Sequence, residues 1–225
     1  MACGGHPPRI LFLDDHVVVV DKPSGMPSVP ARTPFDPPDV ARVLAAGVLA
    51  GAIAPEAVHR LDRDTSGLLV LARTALARRT LGGAFERREV KKSYLAVVVG
   101  RPPVPAGTIH LPLGADPASA PRQRVDPIHG RVATSRWWTI ASGWPTAEQT
   151  FLGLEPVTGR SHQLRAHLAW LGCPVAGDRL YCRAATASVG RLWLHAGRIA
   201  FPHPADGRTV ELVAPLCLES SGGPG

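Results

Sequence analysis

Apolar residues along this chain fall into short blocks separated by clusters of proline, glycine and charge. Residues 10–13 and 17–21 are two apolar runs on either side of Asp14-Asp15-His16, which predicts two short strands joined by a turn. Lys22-Pro23-Ser24-Gly25-Met26-Pro27 follows, and its prolines and glycine suit a loop rather than a helix or a central strand. Residues 39–50 predict a helix, 68–72 an apolar strand, 74–87 a helix with basic residues on one face, and 92–99 a valine-rich strand. Prolines, glycines and scattered charges across 101–130 predict irregular structure with short hairpins, followed by strands over 131–140 and 150–156. A helix is expected over 160–171. In it Leu164, Leu168 and Leu171 stand at i, i+4 and i+7 facing the core, and Gly172 stops it. Strands over 192–196, 198–202 and 209–214 complete the set. Many strands and few helices, without regular βαβ alternation, predict an α+β fold around a mixed, mostly antiparallel sheet with flanking helices and loops. Residues 1–8 read as a flexible arm, 9–218 as one domain and 219–225 (ESSGGPG) as a disordered tail.

The chain has 225 residues, 45% of them apolar, enough for one domain with a real core. Its 25 Lys and Arg against 18 Asp and Glu leave a net charge of +7, and the only lysines are Lys22, Lys91 and Lys92. An arginine excess of this kind favours a polyanion, because cations that neutralise phosphates release condensed counterions. A solvated basic surface would give the same count. The four cysteines, Cys3, Cys173, Cys182 and Cys217, include no C-x-x-C pair, which speaks against a zinc knuckle or a thioredoxin motif. The opening residues MACGGHPPRI lack the apolar stretch of a secretory leader, and no apolar run is long enough to span a membrane. The expectation is a cytoplasmic protein with reduced thiols and no membrane contact.

Three clusters carry candidate chemistry. Asp62 lies just before Thr65-Ser66-Gly67 and the strand that follows, where a loop carboxylate is held by a rigid element, with Arg60 and Arg63 beside it. Read alone, Asp62 or Asp64 serves equally well as a turn cap with Thr65 and Ser66. The second cluster is Arg160-Ser161-His162-Gln163-Leu164-Arg165. With the leucines buried, His162, Arg165 and Ala169 form an adjacent stripe that could hold Arg165 against a carboxylate, although an ordinary amphipathic helix has the same pattern. His162 and His167 are five apart and share no face, so this is not a zinc helix. In the third, Lys91-Lys92-Ser93-Tyr94, a strand tyrosine could stack on a base beside phosphate-binding lysines, or could simply be half buried. Trp137 and Trp138 point to opposite faces of a strand, so at most one faces solvent if the other is in the core.

The order of these blocks carries more than any one of them. His59-Arg60-Leu61-Asp62-x-x-Thr65-Ser66-Gly67 resembles the signature of the RluA family of RNA pseudouridine synthases. Val19-Val20-Asp21-Lys22-Pro23-Ser24-Gly25-Met26 resembles its N-terminal strand and loop, and the stretch from Phe85 to Lys92-Ser93-Tyr94 its tyrosine block. Glu155-Pro156-Val157-Thr158-Gly159-Arg160-Ser161-His162-Gln163-Leu164-Arg165-Ala166-His167 is similar to its arginine helix, and Gly177-Asp178-x-x-Tyr181 and Leu194-His195-Ala196 to its closing blocks. The resemblance covers roughly residues 9 to 216. Many relatives carry an N-terminal S4 RNA-binding domain, whereas here the blocks begin by residue 10. With Pro121-Arg122-Gln123-Arg124-Val125, this resembles the subgroup lacking an S4 domain.

The resemblance implies the pseudouridine synthase fold and a partner of structured RNA, namely 23S ribosomal RNA, the tRNA anticodon stem-loop, or both. It implies a monomer that needs no cofactor and no metal. The implied reaction breaks the uridine N1–C1′ bond, turns the uracil and rejoins it through C5. By resemblance Asp62 is the catalytic carboxylate, as nucleophile or base, and Arg165 pairs with it and favours its charged form. Tyr94 stacks on the uracil and serves in proton transfer at C5, Arg60 enters the gap left by the flipped base, and Leu194 packs against that base. Lys91, Lys92, Arg122, Arg124 and Arg160 are the expected backbone contacts, with His162 a further substrate contact. Two other readings use parts of the pattern. An RNA-binding module without turnover could dispense with Asp62 or Tyr94, yet both are present. A glycosidase using Asp62 and Asp64 would need carboxylates facing each other across a sugar, which two residues on one extended loop do not supply.

Overall fold

The computed structural model describes residues 7–30, 37–51, 53–182 and 190–216, so the predicted tail and most of the predicted N-terminal arm lie outside the described residues. In chain order the elements are β1 (Arg9–Leu13), β2 (Val17–Lys22), α1 (Val40–Ala46), β3 (Glu56–Ala57), β4 (Ser66–Ala72), α2 (Ala75–Glu86) and β5 (Lys91–Val99). They continue as β6 (Ala106–His110), β7 (Leu113–Ala115), β8 (Gln123–Val125), β9 (Thr134–Ser142), β10 (Gln149–Pro156), α3 (Gln163–Trp170), β11 (Leu194–Pro202) and β12 (Thr209–Val213). The main sheet runs in the order β1-β2-β4-β11-β5-β10-β9-β6, with β3 on β4 and β12 on β11, while β7 and β8 form a separate hairpin. All pairings are antiparallel except the short register between β4 and β11. The expected α+β architecture is the one observed.

The run Val17-Val18-Val19-Val20 is fully buried, as is every residue of β4. Neither strand alternates apolar with polar, because both faces of this part of the sheet are covered. Val17, Val19, Leu68 and Val70 pack with Leu81 and Ala84 of α2. Their neighbours Val18, Val20, Leu69 and Leu71 pack on the other face with Val40 and Leu44 of α1 and with Leu61. A third core sets Ala96, Val98, Leu152, Leu154 and Leu194 against Leu164 and Leu168 of α3. Strand β9 lies toward the edge and does alternate: Trp137 is buried and Trp138 exposed, as the sequence predicted.

The sequence misplaces several boundaries, each for a physical reason. The two strands expected over 192–202 are the single strand β11. Gly197, which breaks the apolar pattern, is an extra residue between Ala196, paired with Tyr94, and Arg198, paired with Ser93, so the break is a bulge. Helix α1 is capped by Asp39, whose carboxylate accepts the Arg42 N–H, but stops at Gly47, four residues short of the expected end. Helix α3 begins at Gln163 because His162 sits in the left-handed region at φ 52. The Gln163 amide ties down the turn before it, accepting from the Thr158 hydroxyl at 2.6 Å and the Arg160 N–H at 3.0 Å. Gly172, with φ +82, ends α3 as predicted. Within 101–130, β6 joins the edge of the main sheet and β7–β8 supplies the expected hairpin.

Gly67 permits the parallel join at the centre of the sheet. Its φ is +108, and a Cβ placed there would lie 2.4 Å from the Ala196 carbonyl oxygen. A Gly67→Ala substitution is therefore expected to cost at least about 2 kcal/mol, through strain and forced separation of β4 and β11. Urea denaturation of the two proteins measures this, and an unchanged midpoint would contradict the close approach.

Candidate active site

Residues 59–65 form no helix or strand of their own, so their backbone polar groups need partners elsewhere. The loop after β2 supplies most of them. The Lys22 side chain is fully buried, and its ammonium donates to the carbonyls of Pro23, Met26 and Arg63 at 3.0, 2.8 and 2.9 Å. Burial pulls the Lys22 pKa down to about 7 against the opposing pull of Asp64 and Asp62. The Ser28 hydroxyl donates to the Leu61 carbonyl and accepts the Leu61 N–H, while the Ser24 hydroxyl donates to the Asp64 carbonyl. Gly25 N–H donates to the Arg63 carbonyl, and Arg63 Nε returns a bond to the Gly25 carbonyl. At the start of the segment His59 stacks on Phe85, and its Nε2 accepts the Val70 N–H at 3.0 Å. Asp62 is thus presented on a loop pinned at both ends, with its side chain 22% exposed.

Arg165 approaches from α3. Its Nη1 donates to Asp62 Oδ2 at 2.9 Å, and its other two contacts go to Asp178, with Nε to Oδ2 at 2.7 Å and Nη2 to Oδ1 at 2.8 Å. Asp178 is wholly buried and also accepts the backbone N–H groups of Leu180 and Tyr181. Burial alone would weaken the hold of Arg165 on its proton, but Asp178 and then Asp62 outweigh it and raise its pKa above the ordinary value. The turn that delivers Asp178 needs Gly177, whose φ is +76 and where a Cβ would lie 1.8 Å from the Arg191 carbonyl oxygen.

A cleft of about 660 Å³ opens over this pair, lined by Asp62, Arg165, Tyr94, Arg60, Leu194, Lys92, Arg160 and His162. Tyr94 and Leu194 come from neighbouring strands, where Ala96 pairs with Leu194 and Tyr94 with Ala196. Burial, and then the Asp62 charge, push the Tyr94 phenol well above its usual range, so it stays protonated. Its hydroxyl makes no hydrogen bond to any described residue. Lys92 Nζ sits 5.5 Å from the Phe85 ring centroid, Arg60 is exposed at the mouth, and Arg160 Nε donates to the Val132 carbonyl. Lys91 also lines the cleft, whereas Asp64 does not, so Asp62 and Asp64 do not form the facing carboxylate pair of a glycosidase.

Arg122 and Arg124 fall outside the cleft. Arg122 is half buried with its guanidinium 5.3 Å from the Tyr181 ring centroid, and Arg124, 54% exposed, lies 3.9 Å from Asp126. Sequence reasoning gives Asp178 and Tyr181 no place in the site, although the Gly177-Asp178-x-x-Tyr181 block contains both. A buried aspartate after a glycine gives no sign in sequence of which cation it will meet.

His59 makes the loop sensitive to acid. Burial, helped by the nearby Lys92 charge, lowers its pKa from 6.5 to about 3, so the fold favours neutral imidazole. The resulting stability is fully present above pH 6.5 and drains as pH falls from 6.5 toward 3, because only the unfolded chain takes up the proton in that window. Melting temperatures across that range are expected to fall less steeply for His59→Phe than for the wild type. Parallel curves would show that another group is responsible.

Residues 16–170 match the family model described as RNA pseudouridylate synthase. Over 207 residues, 92% of each chain, the sequence is 40% identical to the dual-specificity RNA pseudouridine synthase RluA of Escherichia coli (strain K12). It is 39% identical to the protein of the same name from Haemophilus influenzae over 89% of this chain and 90% of the relative. Among solved structures, human RNA pseudouridylate synthase domain containing 4 superposes with a TM-score of 0.74 at 28% identity, covering 93% of this chain and 89% of the other. Human RNA pseudouridylate synthase domain containing 1 gives 0.78 at 25% identity, covering 92% and 83%.

Proposed function

The chain belongs to the RNA pseudouridylate synthase family, as an enzyme of the RluA type, and we propose that it isomerises uridines in 23S ribosomal RNA, the tRNA anticodon stem-loop, or both, using Asp62 as its catalytic carboxylate. One observation carries the residue assignment. Asp62 shares its charge with Arg165 at 2.9 Å while remaining open to a cleft whose wall holds Tyr94. The E. coli relative is a dual-specificity enzyme, which supports a reading with more than one RNA substrate.

The chemistry is redox-neutral. The N1–C1′ bond breaks, a C5–C1′ bond forms, and the proton lost from C5 balances the one gained by N1. The uridine must first leave its stack, at a cost of a few kcal/mol. Arg60, exposed at the mouth, fills the vacated position, and the cleft has the volume range of small-ligand sites. Leu194 and the Tyr94 ring then present apolar faces to the uracil. Tyr94, protonated at rest, stacks on the uracil and serves in proton transfer at C5. Asp62 acts at the sugar or the base with Arg165 balancing its charge. Lys92, Arg160 and His162 contact the target nucleotide from the cleft wall, and the exposed Arg124 meets phosphate outside it.

Three experiments test this reading. Purified protein incubated with unmodified 23S and tRNA transcripts is expected to form pseudouridine at discrete positions, and RNA binding with no product on either would overturn the substrate assignment. Asp62→Asn should lower product formation by at least about 10³-fold while RNA affinity stays within about threefold, and retained turnover would remove Asp62 from its role. Arg124→Ala should reduce the slope of log K against log salt by about 1 without changing the modified position. An unchanged slope would place Arg124 off the RNA.

A further inference from the structure

Tyr181 has a single hydroxyl proton and two neighbours competing for its oxygen. The Gln123 N–H, at the first residue of β8, lies 2.7 Å away and can only donate, so the Tyr181 oxygen accepts there. His162 Nδ1 is 3.1 Å from the same oxygen. No third partner for that hydroxyl exists among the described residues, and Tyr181 is buried. A buried hydroxyl proton needs an acceptor, and among the described residues only His162 Nδ1 is available. A neutral imidazole that accepts at Nδ1 carries its own proton on Nε2.

That Nε2 faces the cleft. It lies 4.0 Å from Asp62 Oδ2, beyond hydrogen-bond reach, so the donor is left without a protein partner among the described residues. We propose that Tyr181 is a positioning residue that holds His162 in the Nε2–H form, so that a neutral imidazole offers a hydrogen bond to an acceptor oxygen of the flipped nucleotide beside Asp62. The inference rests on the RNA-modifying reading above and deepens it.

Several features favour this arrangement over a charged imidazole. Burial is the largest influence on His162 and lowers its pKa, while Asp62 and Asp178 pull it up and Arg165 and Arg60 push it down. An imidazolium 4.0 Å from Asp62 would close into an ion pair and compete with Arg165 for the carboxylate. His162 and Tyr181 meet edge to face, at 82° with centroids 5.9 Å apart, and the Arg165 and Arg122 guanidiniums each sit 5.3 Å from the Tyr181 centroid. The left-handed backbone at His162 is a strained conformation for a histidine and marks the position as one the surroundings impose. Because the N–H that orients Tyr181 belongs to the hairpin carrying Arg122 and Arg124, the tautomer of His162 depends on how that hairpin is seated.

Long-range ¹H–¹⁵N correlation on the full chain with labelled histidine reads the tautomer directly and needs no substrate. The expected spectrum shows His162 with a bare Nδ1 and a protonated Nε2, and a protonated Nδ1 would overturn the proposal. In Tyr181→Phe the ring is kept, the two tautomers should mix, and the single-turnover rate on RNA should fall about tenfold with affinity unchanged, the loss of one hydrogen bond. A variant that keeps the pure Nε2–H form would equally overturn it. His162→Gln, which retains an amide donor, should be faster than His162→Ala, and equal rates would exclude the donor role. If the wild type formed no pseudouridine, the substrate assignment would fall while the NMR result still decided the tautomer.

Discussion

One guanidinium joins the two halves of the site. Arg165 spends two of its donors on Asp178 and one on Asp62, and both Arg165 and Asp178 are out of water. Such a pair adds little net stability once desolvation is counted, but removing one member would strand the other. Its value is orientation. Asp178, itself fixed by the Leu180 and Tyr181 N–H groups, sets the plane of the Arg165 fork, and the remaining N–H reaches Asp62 at a fixed point. One carboxylate oxygen of Asp62 is thereby engaged, while the cleft side of the residue stays open.

The same logic governs the loop that carries Asp62. A segment without regular structure can hold a reacting group accurately only if its surroundings satisfy its backbone. Lys22 does so by binding the Arg63 carbonyl together with those of Pro23 and Met26 in the facing loop, Ser28 and Ser24 add hydroxyl bonds, and His59 ties the entry to β4. Helix α3 is anchored in a comparable way. Gln163 uses its amide oxygen on Thr158 and Arg160 and its nitrogen on Thr134 and Ser135, while His167 bonds Ser135 and Leu111. Polar residues that look like candidate ligands in the sequence are here the fastenings of the helix that aims Arg165.

Much of the fold was legible because continuous apolar runs such as Val17–Val20 and Leu68–Leu71 have one comfortable state, a strand buried on both faces. The errors share a different origin. Gly197 looks like a boundary between strands because pattern alone cannot separate a bulge from a break. Helix α3 starts at Gln163 rather than 160 because groups far from it in sequence, the Thr134 carbonyl and the Ser135 hydroxyl, hold the Gln163 amide. Arg122 and Arg124, adjacent but for one residue and equal in sequence, part company: Arg122 turns onto Tyr181 and Arg124 toward solvent.

By itself the sequence determined the α+β class, the placement of Asp62, Tyr94 and Arg165 in separate blocks whose order resembles one enzyme family, and a net charge of +7. These follow from local pattern and from residue type, which the chain states directly. Only the tertiary structure decided that Arg165 is held by Asp178, that Lys22 fastens the loop carrying Asp62, and that Tyr181 links the β7–β8 hairpin to His162. Each of these is a polar contact between segments distant in the chain. Its partner is chosen by which buried donors and acceptors remain unsatisfied once the sheet has closed, a requirement that no stretch of sequence carries alone.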